Sequence, residues 1–379
     1  MFMTNASFEL ESEVWKYVAG TNIEYSVLVP PKSQTEIKRK FNAANVSYVV
    51  DISDLQTAIT EENTLSECTV INNSFDNKAV HRMDWTSYHR LDDIYGYLNY
   101  LADTYPNIVQ LIDIGTSYEN RTLYVVHISH PSSIPETKPA IWIDAGVHAR
   151  EWISPALATY IIHQLVEDPA NEGLLLSADW YIMPLMNPDG YEYSHVKNRL
   201  WRKSRSETGS GKCRGVDLNR NFGYQWGDRG AYVDPCAKGF RGVKAFSEPE
   251  TIATSNFILK KANLIKLYLT LHSFGQVVLI PWGHSATLPS DYGDLLALAK
   301  SATSTFQRYK YKVVNLATQF YRATGTSADW AKSIGIKYSY TVELPTNGFI
   351  LPVSNILPVS QDFFPALNVF AAEVATLHV

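Results

Sequence analysis

The sequence predicts an α/β fold: a mixed, mostly parallel central sheet with helices on both faces, preceded by a small α/β unit. Three observations predict it. From Ser87 to the C-terminus, strand-like runs alternate with segments of helical period. Runs such as 140–145 and 265–271 are apolar nearly throughout, as strands covered on both faces are. The chain has 379 residues, 45% hydrophobic and 12% aromatic, enough for one large domain plus a small one.

The elements follow in order. Ile23 to Val29 alternates and ends at Pro30-Pro31, 33–41 is helical in pattern, 48–52 reads as a strand, and 54–59 begins a helix. The chain then turns polar, and no basic residue occurs between Lys40 and Lys78. Lys78 and Arg82 break that run within an irregular segment, where a trypsin-like protease would cut. Beyond it, 91–105 is an amphipathic helix, and 108–114, 123–128 and 140–145 are strands. The helix at 152–166 is apolar nearly all round and so is sandwiched. A strand at 180–185 ends at Met186-Asn-Pro-Asp-Gly190, which reads as a turn. The stretch 187–240 is long, rich in Gly, Arg and aromatics, and weakly periodic, which marks it as functional. Helices follow at 249–261, 292–306 and 359–377, and strands at 265–271, 311–316 and 338–344.

Composition excludes several classes. A net charge of -5 gives no reason to expect a nucleic-acid partner or an anionic membrane surface. No apolar run is long enough to span a bilayer. The first residues are too polar for a signal peptide, so the chain reads as a start-truncated form of a longer precursor. Cys68, Cys213 and Cys236 fit no Cys-x-x-Cys pattern, and the spacing of the last two would suit one bridge. Such a bridge would stabilise by roughly 3 kcal/mol in the chain-entropy model and would imply an oxidising compartment. Sequons at Asn5, Asn45, Asn72 and Asn120 agree with secretion but are common by chance.

The chemistry begins at Pro139–Pro155. A buried strand turns through Gly146 and sets His148 and Glu151 three residues apart before a helix. An imidazole and a carboxylate at that spacing can share one cation. Arg150 between them offers no lone pair. His-x-x-Glu alone is equally a capped, solvated helix start. Ligands in such sheets collect outside the carboxyl ends of strands. His148, His272 and Glu343 fall at three such ends, a better coincidence than any single motif.

At this point the chain resembles the zinc metallocarboxypeptidases of the digestive carboxypeptidase A/B family, in proenzyme form. The resemblance rests on His148-Ala-Arg150-Glu151, Arg199-Leu-Trp-Arg202-Lys, Gly215-Val-Asp217-Leu-Asn219-Arg220, Leu271-His272-Ser273, the run from Tyr321 to Trp330, and Thr341-Val-Glu343-Leu. It implies an activation domain at 1–78 and a catalytic domain at 79–379, acting as a secreted monomer on peptide C-termini after cleavage by a trypsin-like protease. It implies one Zn2+ per chain held by His148, Glu151 and His272, with a fourth position open to water, and Asp217 orienting His148. It makes Glu343 the general base and Arg202 the group facing the developing oxyanion. Asn219, Arg220 and Tyr321 would grip the terminal carboxylate, and Arg150 and Ser273 would line the approach. Cys213 and Cys236 match the family's bridge, which leaves Cys68 unpaired.

Two departures bear on specificity. Phe274 replaces the tyrosine usual beside the serine, which leaves penultimate preference open. Ala328 stands where the basic-specific branch has an aspartate, with Leu279, Gly283, Ala323 and Thr341 around it. Burying a Lys or Arg head there without a counter-charge is costly, so apolar C-terminal residues are expected. An inert C-terminus-binding module would require loss of Glu343 or Arg202, and both are present. A zinc amidohydrolase with non-peptide substrates would have no need of the Asn219-Arg220 and Tyr321 grip.

Overall fold

The computed structural model describes residues 13–19, 22–63, 81–131, 137–228, 231–345 and 348–379. The chain forms two compact units, Met1–Glu62 and Asn63–Val379.

In the small unit β1 (Glu13–Ala19) and β2 (Asn22–Leu28) pair antiparallel, Glu13 opposite Leu28 and Ala19 opposite Asn22. Strand β1 is an element beyond those expected from the sequence. Helix α1 (Gln34–Ala43) buries Ile37 and Phe41, one turn apart on one face. Helix α2 (Leu55–Glu61) starts at Asp54, whose carboxylate accepts from the Gln56 and Thr57 amides. The strand expected at 48–52 is absent. Tyr48, Val49, Val50 and Ile52 are exposed, and no ladder among the described residues includes them. Apolar alternation supplies a sheet face, but a strand also needs a hydrogen-bonding neighbour. Lys78, Cys68, Asn5 and Asn72 lie outside the described residues, whereas Arg82 is described and exposed.

The large unit is built on β3 (Val109–Thr116), β4 (Thr122–Ile128), β5 (Ala140–Asp144), β6 (Asp179–Met183), β7 (Ile265–Ser273), β8 (Val277–Ile280), β9 (Lys312–Asn315) and β10 (Tyr338–Leu344). Their order is β3-β4-β6-β5-β7-β10-β8-β9. The β5–β6, β5–β7, β7–β10 and β8–β9 pairs are parallel, and β3–β4, β4–β6 and β8–β10 are antiparallel. The helices are α3 (Leu91–Thr104), α4 (Ile153–Glu167), α5 (Glu172–Ser177), α6 (Pro188–Val196), α7 (Pro249–Lys260), α8 (Tyr292–Thr303), α9 (Leu316–Gln319), α10 (Ser327–Ser333) and α11 (Ile356–Ala375).

Strand alternation divides the core in two. Ile141 and Ile143 face one cluster with Leu98 of α3, Leu157 and Ile161 of α4, Leu295 of α8 and Leu367 of α11. Ala140 and Trp142 face the other, with Ile258 of α7 and Trp330 of α10. The sheet is therefore covered on both faces, as its continuous apolar strands require.

Asn187–Gly190, expected as a turn, opens α6: the Asn187 side chain caps the Gly190 amide at 2.9 Å and Pro188 takes the first helical position. Asn-Pro is a helix start as readily as a turn, and here the side-chain cap and the proline are used to start a helix. The short strand β8 was also not foreseen, since four residues give little periodicity. No helix among the described residues is long and apolar enough to cross a membrane.

Candidate active site

The carboxyl ends of β5, β7 and β10 converge on one buried polar cluster. The chain leaves β5 at Asp144 and turns to bring His148 and Glu151 ahead of α4. Next to β5, β7 ends with His272 and Ser273, and β10 sets Glu343 directly opposite His272 in parallel register. His148 Nδ1 lies 2.9 Å from Glu151 Oε1, and His272 Nδ1 lies 3.1 Å from Glu151 Oε2. The two Nδ1 atoms are only 3.0 Å apart. Two imidazole nitrogens facing each other across a carboxylate leave lone pairs converging on one point, an arrangement that a cation relieves. Donor atoms of the three residues all fall within 4.8 Å of one another. Two imidazoles and one carboxylate are a donor set that suits zinc with an open coordination position.

The second ring nitrogen of His148 is 3.1 Å from Asp217 Oδ1. The other Asp217 oxygen accepts from Arg202 Nε at 3.1 Å and Nη2 at 3.0 Å. Burial alone would raise the Asp217 carboxyl, but Arg202 and His148 beside it hold it well below the usual carboxylate range. Arg202 is thereby oriented with its remaining Nη1 3.7 Å from Glu151 Oε1, facing the cluster. Glu151 is locked further by the Ser273 amide, which donates to Oε2 at 3.1 Å. Glu343 is half-buried, and burial pushes its carboxyl up to about 7, with Glu151 adding to it against the opposing pull of His272, Arg202 and Arg220.

Asn219 and Arg220 lie in a short 3-10 turn, both buried, started by Asp217, which accepts the Asn219 amide. Asn219 Oδ1 accepts from the Ser327 amide at 2.9 Å, and Arg220 Nη1 donates to the Asn219 carbonyl at 2.7 Å. Tyr321, 37% exposed, places its ring 5.9 Å from the Arg220 guanidinium carbon. Gly325 lets its own backbone pass close against Arg220. Its φ is +65°, and a Cβ there would sit 2.3 Å from the Arg220 carbonyl oxygen. Arg150 is buried with its guanidinium 3.8 Å from the Phe349 ring centre. Phe349 also packs edge-on to Phe274.

Ala328 is buried in α10, and the Thr341–Leu279 pair of β10 and β8 lies in register. Gly283 is close-packed: a Cβ there would meet Leu316 at 2.5 Å. Its amide donates to Asp329, which also holds the His284 amide and ring. Cys213 and Cys236 form a disulfide with Cα atoms 5.1 Å apart. Asp144, Thr270, Ser327, Asp329 and Phe349 also border the site without standing out in the sequence. The signals were present, a polar residue inside an apolar strand in the first two cases, but such residues are ordinary in strands.

A profile of the zinc carboxypeptidase family matches residues 94–366, and one of the carboxypeptidase activation peptide matches residues 5–62. This chain belongs to the zinc carboxypeptidase family. It carries an activation peptide and is a proenzyme. It is 41% identical over 298 residues to carboxypeptidase B of Astacus astacus, covering 76% of this chain and 97% of that enzyme. Against carboxypeptidase A2 of Rattus norvegicus it is 33% identical over 384 residues, covering 99% and 90%. The crystal structure of thrombin-activatable fibrinolysis inhibitor superposes with a TM-score of 0.87 at 30% identity, over 99% of this chain and 95% of that one. The relatives are of both A and B type, so family membership leaves the preferred C-terminal residue open.

Proposed function

We propose that this zinc carboxypeptidase precursor is secreted and, once cut, removes apolar C-terminal residues from peptides. The observation that carries the reading is the convergence of His148, Glu151 and His272 at the strand ends with Glu343 in register beside them. Those three residues would hold zinc. Bound there, zinc supplies Lewis acidity to a carbonyl and lowers the pKa of a water.

The protein's own groups do the rest. Arg220, with Asn219 and Tyr321, grips the terminal carboxylate, a task suited to a planar guanidinium. This anchors the last residue and restricts cleavage to the final peptide bond. Glu343, whose carboxyl burial pushes up to about 7, takes the proton of the attacking water in its ionised form and passes it to the leaving amine nitrogen. Arg202, aimed by Asp217, donates to the carbonyl oxygen as negative charge develops on it. Arg150 and Ser273 line the approach for the preceding residues.

Ala328 supports the apolar preference, because a methyl at the pocket base gives a cationic head no counter-charge. The similarity to an enzyme named carboxypeptidase B favours a second reading, basic preference. A kcat/KM panel on peptides ending in Phe, Leu, Lys and Glu decides between them. Phe and Leu should lead, and Ala328→Asp should move preference toward Lys and Arg. A lead for Lys in the unaltered enzyme would overturn the pocket assignment.

Residues 1–78 are proposed as an inhibitory segment and 79–379 as the catalytic domain of a monomer. A trypsin-like protease would release the catalytic domain by cutting between Lys78 and Arg82. Trypsin treatment followed by mass analysis should show one early cut in that window and a rise in activity on large peptides.

A further inference from the structure

We infer that Asp144 and Thr270 form a hydrogen-bonded relay that fixes the ring of His272 for metal binding, which makes both of them positioning residues of the metal site. The inference rests on the reading of His272 as a zinc ligand.

The relay follows from strand register. Asp144 of β5 lies opposite Thr270 of β7, so their side chains leave the same face of the sheet. His272, two residues further along β7, projects from that face too. Thr270 Oγ1 donates to Asp144 Oδ1 at 2.6 Å, and Trp142 Nε1 donates to Asp144 Oδ2 at 2.8 Å. Both carboxylate oxygens are thus held as acceptors. A threonine hydroxyl has one proton. With that proton committed to Asp144, Oγ1 can only accept from His272 Nε2, 3.1 Å away. Asn219 Nδ2 also faces Nε2, but at the longer distance of 3.4 Å. His272 therefore carries its proton on Nε2 and turns the Nδ1 lone pair toward His148 and Glu151.

The two histidines are set by different devices. His148 has a carboxylate directly on its second nitrogen, whereas His272 has a carboxylate acting through a hydroxyl. Asp144, Thr270 and His272 are buried to within 1% exposure, so water cannot replace the hydroxyl.

The test compares Thr270→Val with Thr270→Ser in the full chain, with His272→Ala as reference. Zinc affinity is measured by chelator competition, and the His272 tautomer by 15N NMR of the zinc-free protein. Thr270→Val should weaken zinc binding about 10–100-fold, the usual effect of losing an outer partner of a metal-bound histidine. It should also release the Nε2–H tautomer. Thr270→Ser, which keeps the hydroxyl, should stay within about threefold of wild type on the same scale. Should Thr270→Val fail to fold, Asp144→Asn, which keeps one acceptor oxygen, should give an intermediate loss. Zinc binding and tautomer unchanged in Thr270→Val would overturn the relay, as would equal losses in the Val and Ser variants. Zinc retained in His272→Ala would overturn the ligand assignment instead, even if the unaltered protein holds His272 as the Nε2–H tautomer.

Discussion

The strand ends and the irregular stretch from 197 to 248 both feed the site, and they are held by different means. His148, His272 and Glu343 sit at or just beyond strand termini fixed by neighbouring ladders. Arg202, Asp217, Asn219 and Arg220 come from chain with little regular structure. There the hub is Asn221. Its amide donates to the carbonyls of Arg241 and Lys244 and to Ser247 Oγ, and its oxygen accepts from the Glu248 amide and Thr251 Oγ1. The buried Glu248 carboxylate gathers Ser204, Ser206 and Ser247. The disulfide closes the same stretch. A sheet fixes geometry through backbone pairing, whereas a loop must fix it through buried side-chain bonds, each of which one substitution can remove. Chemistry placed on strand ends should survive damage that loosens the substrate grip.

The largest expected effect lies on the strand side. Glu343→Gln keeps volume but cannot take a proton, so kcat should fall about 10²–10⁴-fold with KM nearly unchanged and zinc retained. A variant keeping a tenth of wild-type turnover would mean that another group is the base.

The loop side should respond differently. Asn221→Ala strands several buried partners at once, each costing roughly 1–3 kcal/mol. Thermal unfolding should drop by several degrees, and KM should rise more than kcat falls while zinc stoichiometry holds. Loss of zinc together with stability would mean the two regions are not separable.

The smallest effect concerns Glu250 of α7, which joins the loop to the helix. Its carboxylate is buried, accepts from the Tyr118 amide, and is pushed up to about 8 by burial, with Glu248 and Asp189 adding to it. A carboxyl whose folded pKa lies above its unfolded value contributes stability fully below the unfolded pKa and loses it as pH rises through the folded one. The melting temperature should therefore fall as pH rises from about 5 toward 9. Glu250→Gln should flatten that slope and gain on the order of 1–2 kcal/mol at the alkaline end. Parallel curves for the two proteins would remove Glu250 as the cause.

The same contrast explains what could be read without coordinates. Strands such as 265–271 announce themselves by apolar content, and His272 at the end of one is conspicuous. The motif resemblance reached Arg202, Asp217 and Arg220 across a stretch where periodicity is uninformative. Thr270 and Asp144 escaped notice because their meaning lies in a register between β5 and β7, which no local pattern encodes. The segment 48–52 misled for the complementary reason: its alternation is strand-like, but pairing is a property of two segments. Likewise Asn187-Pro188 is written identically for a turn and for a helix start.

Zinc dependence of single-residue release is the most direct test of the account. The protein would be cut with trypsin, stripped with a chelator and titrated with zinc against a peptide ending in Phe, with products read by mass spectrometry. Release of one C-terminal residue should rise linearly to about one zinc per chain and then level off, while the C-terminally amidated peptide stays intact. Full turnover in the stripped protein or in His272→Ala, or equal cleavage of the amidated peptide, would contradict it.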